Sequence, residues 1–175
     1  MEEERDMNRK IFGLMLPLVI LLLFPASCSH SVKSYSKPNL HIEKGKLGIL
    51  PFSSNIPEVG YVVSDTIGAY LLDSGVDVME RTYLAGVLEE QNVTYIEANL
   101  PNYRKIGEAA RVDFLLVGNV AFSSASARII DAATGDVLII AIFQPNMVSG
   151  SASAVDIGES LAKSINKELA KVTKR

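Results

Sequence analysis

The sequence predicts an α/β fold: a mixed β-sheet flanked by helices, in the order β-α-β-α-α-β-β-β-α. Three observations predict it. Phe114 to Phe143, FLLVGNVAFSSASARIIDAATGDVLIIAIF, holds three apolar runs of strand length, rich in β-branched and aromatic residues. Upstream of it, short buried runs alternate with segments of helical period. Downstream, Ser153 to Lys171 is the longest amphipathic stretch of the chain.

Taken in order, Leu47-Gly48-Ile49-Leu50-Pro51-Phe52 reads as a buried strand stopped by proline, and Ser53 to Gly60 as a loop. Val62 to Asp73 carries Val63, Ile67, Tyr70 and Leu71 at helical spacing, with Ser64 and Asp65 near its start and Gly75 at its stop. Val76 to Met79 alternates as a strand. Thr82 to Gln91 turns Leu84, Val87 and Leu88 inward, and Pro101 to Arg111 does so with Ile106, Ala109 and Ala110. The three central strands carry Leu115 to Val120, Ile129 with Ile130, and Val137 to Phe143. Between the last two lies Asp131-Ala132-Ala133-Thr134-Gly135-Asp136. Asp131 can bond backbone groups locally, and Gly135 can take the positive φ that closes a hairpin. Ile129 is expected to face the core opposite Val137 or Ile139. In the last helix Ile157, Leu161, Ile165 and Leu169 form one stripe, extended by Val172, with Ser153 as N-cap.

Composition bounds the chemistry. The 175 residues, 48% hydrophobic and 21% charged, suit one globular domain once the N-terminus is set aside. A net charge of -3 with dispersed basic residues leaves no nucleic-acid footprint. The one cysteine excludes an intramolecular disulfide. Both histidines, His30 and His41, precede the predicted domain and read as solvated linker residues. Ser53 and Ser54 therefore lack a histidine base, and the loop they open lacks the glycine spacing of a phosphate cradle. Gly150 to Ser153 is a helix-leading loop, and the neighbouring Glu89 and Glu90 point in different directions on a helix. Glu80-Arg81 suggests an ion pair. Asn92-Val93-Thr94 matches the N-glycosylation pattern. No enzyme, cofactor or metal is expected.

The N-terminus carries an address. Ile11 to Phe24 is an apolar run behind Arg9 and Lys10, shorter than the ~20 residues a spanning helix needs. The acidic start from Met1 is unusual for such a leader, and Met7-Asn8-Arg9-Lys10 would make an ordinary one. The run ends Phe24-Pro25-Ala26-Ser27-Cys28, which resembles a bacterial lipobox, although Pro25 departs from the usual aliphatic residue. Acylation of Cys28 is the expectation, and cleavage after Ser29 stays open. Residues 1–27 are thus read as a lipoprotein signal peptide, 28–46 as a flexible tether and 47–175 as the domain. Ser29 after the cysteine favours the outer membrane, with the domain facing the periplasm.

One surface pattern remains. Lys163, Lys167 and Lys171 recur every four residues on the last helix, away from its apolar stripe, and Lys174 and Arg175 prolong them. They form either a solvated face suited to a helix C-terminus or a contact surface for anionic headgroups, cell-wall polymer or an acidic partner.

Several fragments, in order, resemble the curli-secretion lipoprotein (CsgG) family and its relatives with a TolB-N-terminal-like domain. They are KLGILPF, SDTIGAYLLDSGVDVMERTYLAGVLEEQ, IGEAARVDFLLVGNV and SARIIDAATGDVL, from Lys46 to about Ile140. The resemblance implies a CsgG-like periplasmic domain, anchored in the outer membrane, that binds envelope proteins and can self-associate as a homo-oligomer. Pore-forming relatives insert membrane hairpins around the strands that match Phe114 to Phe143. Here, Phe122 to Ser126 and Gln144 to Ala152 are too short, since each membrane strand needs ~9–11 residues. Asn55 and Tyr61 are chemically reminiscent of the pore constriction but are not aligned with it. The expected function is a non-catalytic accessory to envelope assembly, secretion or trafficking. The alternatives are a lipoprotein regulator of peptidoglycan synthesis, which would need a long tether to reach inward, and a subunit of an oligomeric secretion channel.

Overall fold

The computed structural model describes residues 30–38, 40, 45–90, 100–122, 124–145 and 152–173. In chain order they form β1 (Ser31–Ser36), β2 (Leu47–Ile49), β3 (Ser53–Ser54), α1 (Pro57–Asp73), β4 (Val78–Met79), α2 (Arg81–Glu90), α3 (Leu100–Ala110), β5 (Phe114–Ala121), β6 (Ser124–Asp131), β7 (Val137–Gln144) and α4 (Ala154–Thr173). The strands make one mixed sheet in the order β1-β7-β6-β5-β2-β4, with β3 pairing β5 beyond the end of β2. β5, β6, β7 and β1 are antiparallel neighbours, whereas β2, β3 and β4 join in parallel. The parallel half needs helical crossovers, which α1 to α3 supply.

The sequence of the central strands dictates two cores. Alternation sends Leu116, Val120, Ala127, Ile129, Ile139, Ala141 and Phe143 to one face, where Val63, Ile67 and Leu71 of α1 meet Ile157, Leu161 and Ile165 of α4. Leu115, Val117 and Ile130 go to the other face, under Leu84 and Leu88 of α2 and Tyr103, Ile106 and Ala110 of α3. The three neighbouring apolar strands are therefore legible as runs because parts of both faces are covered. Gly118 lets this happen at close range: a Cβ there would lie 2.3 Å from the Phe52 ring and 2.4 Å from the Ser126 carbonyl.

The β6–β7 turn follows its sequence chemistry. Gly135 sits at φ 74, its N–H donates to the Asp131 carbonyl at 2.8 Å, and the Asp131 carboxylate accepts from the N–H groups of Ala133 and Thr134. Ile129 opposes Ile139, with a bulge before Ile130 pairs Val137. Ser153 caps α4: its Oγ accepts from the Asp156 N–H at 3.1 Å while the Asp156 carboxylate takes the Ser153 hydroxyl and N–H. These hydrogen bonds, the hydroxyl's first, hold the Asp156 carboxyl below its ordinary pKa.

Three expectations need correction. The stretch 28–46 is not tether throughout, since Ser31–Ser36 is an edge strand paired to β7 from Ser31–Gln144 to Ser36–Ile139. The domain therefore begins before Leu47. His30 is not a solvated linker residue: its ring packs at 5.2 Å on Phe143, and its Nδ1 is buried. Finally, the 53–60 loop is mostly structured, because β3 adds two residues beside β5 and Pro57, at the first helical turn, starts α1 five residues before Val62. The signal peptide, Cys28, His41 and Asn92 to Thr94 lie outside the described residues.

Candidate functional site

The segment that leaves Cys28 is locked to the domain within a few residues. β1 places Val32, Ser34 and Ser36 toward α4, and the hydroxyls of Ser34 and Ser36 donate to Glu168 Oε1 and Oε2 at 2.9 and 3.1 Å. Glu168 is only 4% exposed, and Lys171 Nζ donates to the same carboxylate at 2.7 Å. A buried carboxylate is tolerated because it is multiply hydrogen-bonded and paired. The Lys171 bond first, with the two serine hydroxyls adding to it, holds the Glu168 carboxyl below its ordinary pKa, against burial acting the other way. At the far end of β1, Lys37 Nζ meets Asp136 Oδ2 at 2.6 Å, and the Lys37 N–H donates to the Leu138 carbonyl. At the near end stands His30 on Phe143.

That near end is one pole of the domain. β7 finishes there at Gln144, opposite Ser31, and the β5–β6 turn lies there because Ala121 pairs Ser124. β3 runs beside Asn119 and Val120 toward the same pole, so Ile56 and the start of α1 follow it. α4 starts there too, with Asp156 in its first turn near His30. Phe122, at the tip of the β5–β6 turn, is 98% exposed with φ 51; Ile56 is 58% and Val155 48% exposed. A bulky non-glycine residue in that conformation is an outlier.

The lysine stripe of α4 is exposed as its spacing requires, but it is not a free basic surface. Lys163 pairs Glu159 at 3.0 Å and Lys171 pairs Glu168, leaving Lys167 between them. Two of the three charges are thus locally balanced, and Lys171 acts inward, on the β1 clamp. Arg81 does form an ion pair, but its partner is Asp65 of α1 and not the neighbouring Glu80. Its Nε and Nη2 donate to the two carboxylate oxygens at 2.8 and 2.9 Å, and the guanidinium lies 4.4 Å from the Tyr61 ring. This pair borders a groove of about 600 Å³ between α1 and α2, floored by Ile49, Gly68 and Val78. Asp65 and Arg81 are spent on each other, and Asp73, Glu80 and Thr82 complete the polar part of the lining. Ser53 and Asn55 are exposed, and Glu89 and Glu90 sit on the outer surface of α2. Among the described residues no group of acidic, histidine or cysteine side chains is arranged to hold a metal. Among them, too, no helix is long and apolar enough to cross a membrane.

No protein-family model matches the chain, and no curated protein matches it by sequence. Its architecture does have solved counterparts. The domain is similar to the PelC dodecamer from Paraburkholderia phytofirmans, with a TM-score of 0.52 at 15% identity over 78% of this chain and 95% of that one. Weaker likenesses are the lipoprotein GNA1162 from Neisseria meningitidis (TM-score 0.48, 17% identity, 72% and 98% covered) and the LpoB C-terminal domain from Salmonella enterica (0.46, 10%, 74% and 94%). The PelC likeness establishes the α/β fold expected from the sequence, a mixed sheet flanked by helices. Membership of the curli-secretion family has no family-model match behind it.

The sequence reading missed Glu168 and Phe122. Glu168 reads as one more solvated position between lysines, and only its partners Ser34 and Ser36 reveal it. Phe122 did carry a signal: a phenylalanine stands between two strands where a turn favours Gly, Asn or Asp.

Proposed function

We propose that this protein is a non-catalytic lipoprotein of the outer membrane, anchored through an acylated Cys28, whose periplasm-facing domain binds other envelope proteins and copies of itself as an accessory to assembly, secretion or trafficking. The observation that carries this reading is the capture of β1. Three residues after Cys28 the chain is already the edge strand of the sheet, clamped by Glu168. A residue spans at most ~3.6 Å, so Ser31 lies within about 11 Å of the anchored cysteine. Such a domain works at the membrane surface and does not reach far from it, which disfavours a regulator acting deep in the cell wall. Self-association draws support from the fold's likeness to a dodecamer. The edge strand β1 also has one side without a neighbouring strand among the described residues, a side on which pairing can continue.

The test is metabolic labelling of the full chain with palmitate in a Gram-negative host, followed by membrane fractionation and light scattering of the detergent-extracted protein. The wild type is expected to take up label and sediment with the outer membrane as an oligomer, and Cys28→Ala to do neither. Equal labelling of both proteins would remove the anchor from the proposal. A strictly monomeric acylated protein would remove self-association.

A further inference from the structure

The pole of the domain next to the anchor is not finished as a water-facing surface. Phe122 projects at the tip of the β5–β6 turn with 98% of its surface exposed, and Ile56 and Val155 flank the same pole at 58% and 48%. The first two sit where the chain turns from a strand of the sheet toward the next element, and Val155 sits in the first turn of α4. The opposite pole is built differently. Around the β6–β7 turn and the C-terminus of α1 stand Asp73, Asp77, Asp113, Arg111 and the Lys37–Asp136 pair, all exposed, although Leu72 and Val137 are exposed there as well. Among the described residues, only the anchor pole carries an almost fully exposed aromatic side chain.

Chain length fixes what that pole must meet. His30 is held against Phe143, so Cys28, two residues earlier, lies within about 7 Å of it. Acyl chains on that cysteine enter the bilayer directly beside this pole. An aromatic and two branched aliphatic side chains then stand at the boundary where amphipathic structures bury their apolar side. Among the described residues, the charges at this pole are the carboxylates of Glu58 and Asp156, with Lys33 further along β1, so the contact is apolar and does not depend on anionic headgroups.

We infer that Ile56, Phe122 and Val155 form a lipid-contacting surface, with Phe122 inserted in the headgroup–acyl boundary and the sheet standing away from the membrane. The inference rests on the anchor assigned to Cys28 above. It accounts for Phe122: the turn keeps a strained, solvent-facing aromatic because the bilayer is its packing partner.

The chain contains no tryptophan, so Phe122→Trp makes a single fluorescent reporter, Ile56→Trp a second at the same pole and Thr134→Trp a control at the opposite one. The acylated full chain, extracted from membranes, is reconstituted in phosphatidylethanolamine vesicles with and without brominated phosphatidylcholine. Bromine is expected to lower the Phe122→Trp emission about twofold, as for a side chain 5–10 Å into the interface, to lower Ile56→Trp less, and to leave Thr134→Trp unchanged. If the protein is acylated and floats with the vesicles but neither polar reporter is quenched, the lipid-facing surface is overturned while the anchor stands. A blue shift without bromine quenching places a protein partner on Phe122 and overturns it equally. If the protein carries no acyl chain and does not float, the anchor reading fails and this inference fails with it.

Discussion

The two turns that join the central strands solve the same geometric problem in opposite ways. The β6–β7 turn uses residues whose chemistry suits it: Asp131 accepts two backbone N–H groups, and Gly135 takes φ 74 without a Cβ to clash. The β5–β6 turn also visits positive φ, at 51, but places there a phenylalanine that touches almost nothing. Ser124, whose hydroxyl donates to the Ala121 carbonyl at 3.0 Å, is the local support it has. Local rules explain the first turn completely and are broken at the second. Where a sequence gives up local consistency without a packing gain inside the fold, the compensation lies outside it. β1 runs from one pole of the sheet to the other, starting opposite Gln144 at the end that holds Phe122 and passing at Lys37 to Asp136, so one strand of the sheet spans the distance between the two turns.

The sharpest way to break the contrast is to give the β6–β7 turn a residue as unsuited as Phe122. Gly135→Val puts a β-branched side chain at φ 74, and a loss of about 2–3 kcal/mol is expected, measured by urea unfolding. An unchanged midpoint would mean that the turn is not held in this conformation. Next comes the strand between the turns. Glu168→Gln removes the charge that the Ser34 and Ser36 hydroxyls and Lys171 share, and should cost about 1–2 kcal/mol at neutral pH. Its pH dependence has a defined sign. The folded-state pKa of Glu168 is lowered, so its contribution is fully present above the unfolded-state value and is lost as pH falls through the folded one. Wild type and Glu168→Gln should therefore differ at pH 7 and converge in acid. A difference that persists unchanged at low pH would show that packing, not the carboxylate, holds β1. A smaller effect, about 1 kcal/mol, is expected for Asp131→Ala, which leaves the Ala133 and Thr134 N–H groups to water.

The same contrast explains which parts of the molecule were legible in the sequence. β5, β6 and β7 were, because their apolar residues go to cores on both faces and cannot be mistaken for loop. The last helix was, because its stripe continues from Ile157 to Val172 and Ser153 caps it. β1 was not. Its inward positions are Val32, Ser34 and Ser36, and two serines satisfied by a glutamate 132 or more residues away look like linker to any local pattern. The α1 start was missed by five residues since Ile56, ahead of Pro57, makes no side-chain cap. Of the candidate site, the lysine spacing was readable but the pairing of Lys163 with Glu159 and of Lys171 with Glu168 was not, because i,i+3 and i,i+4 partners on an exposed helix are too common to single out one contact.

The smallest effect expected on stability is the most informative one, and it concerns Phe122. With the side chain 98% exposed, Phe122→Gly removes no internal packing. It replaces a left-handed residue, at about 1–2 kcal/mol of strain, with the one residue that adopts that conformation freely. The added freedom of glycine in the unfolded chain takes back roughly 0.5–1 kcal/mol. The variant should thus be as stable as the wild type or more stable by up to about 1.5 kcal/mol, whereas Gly135→Val at the other turn moves far in the opposite direction. The measurement is the urea midpoint of both variants in detergent, beside the wild type. A clear destabilisation by Phe122→Gly would show that the ring packs on the domain after all, and the two turns would then differ only in residue choice, not in what they face.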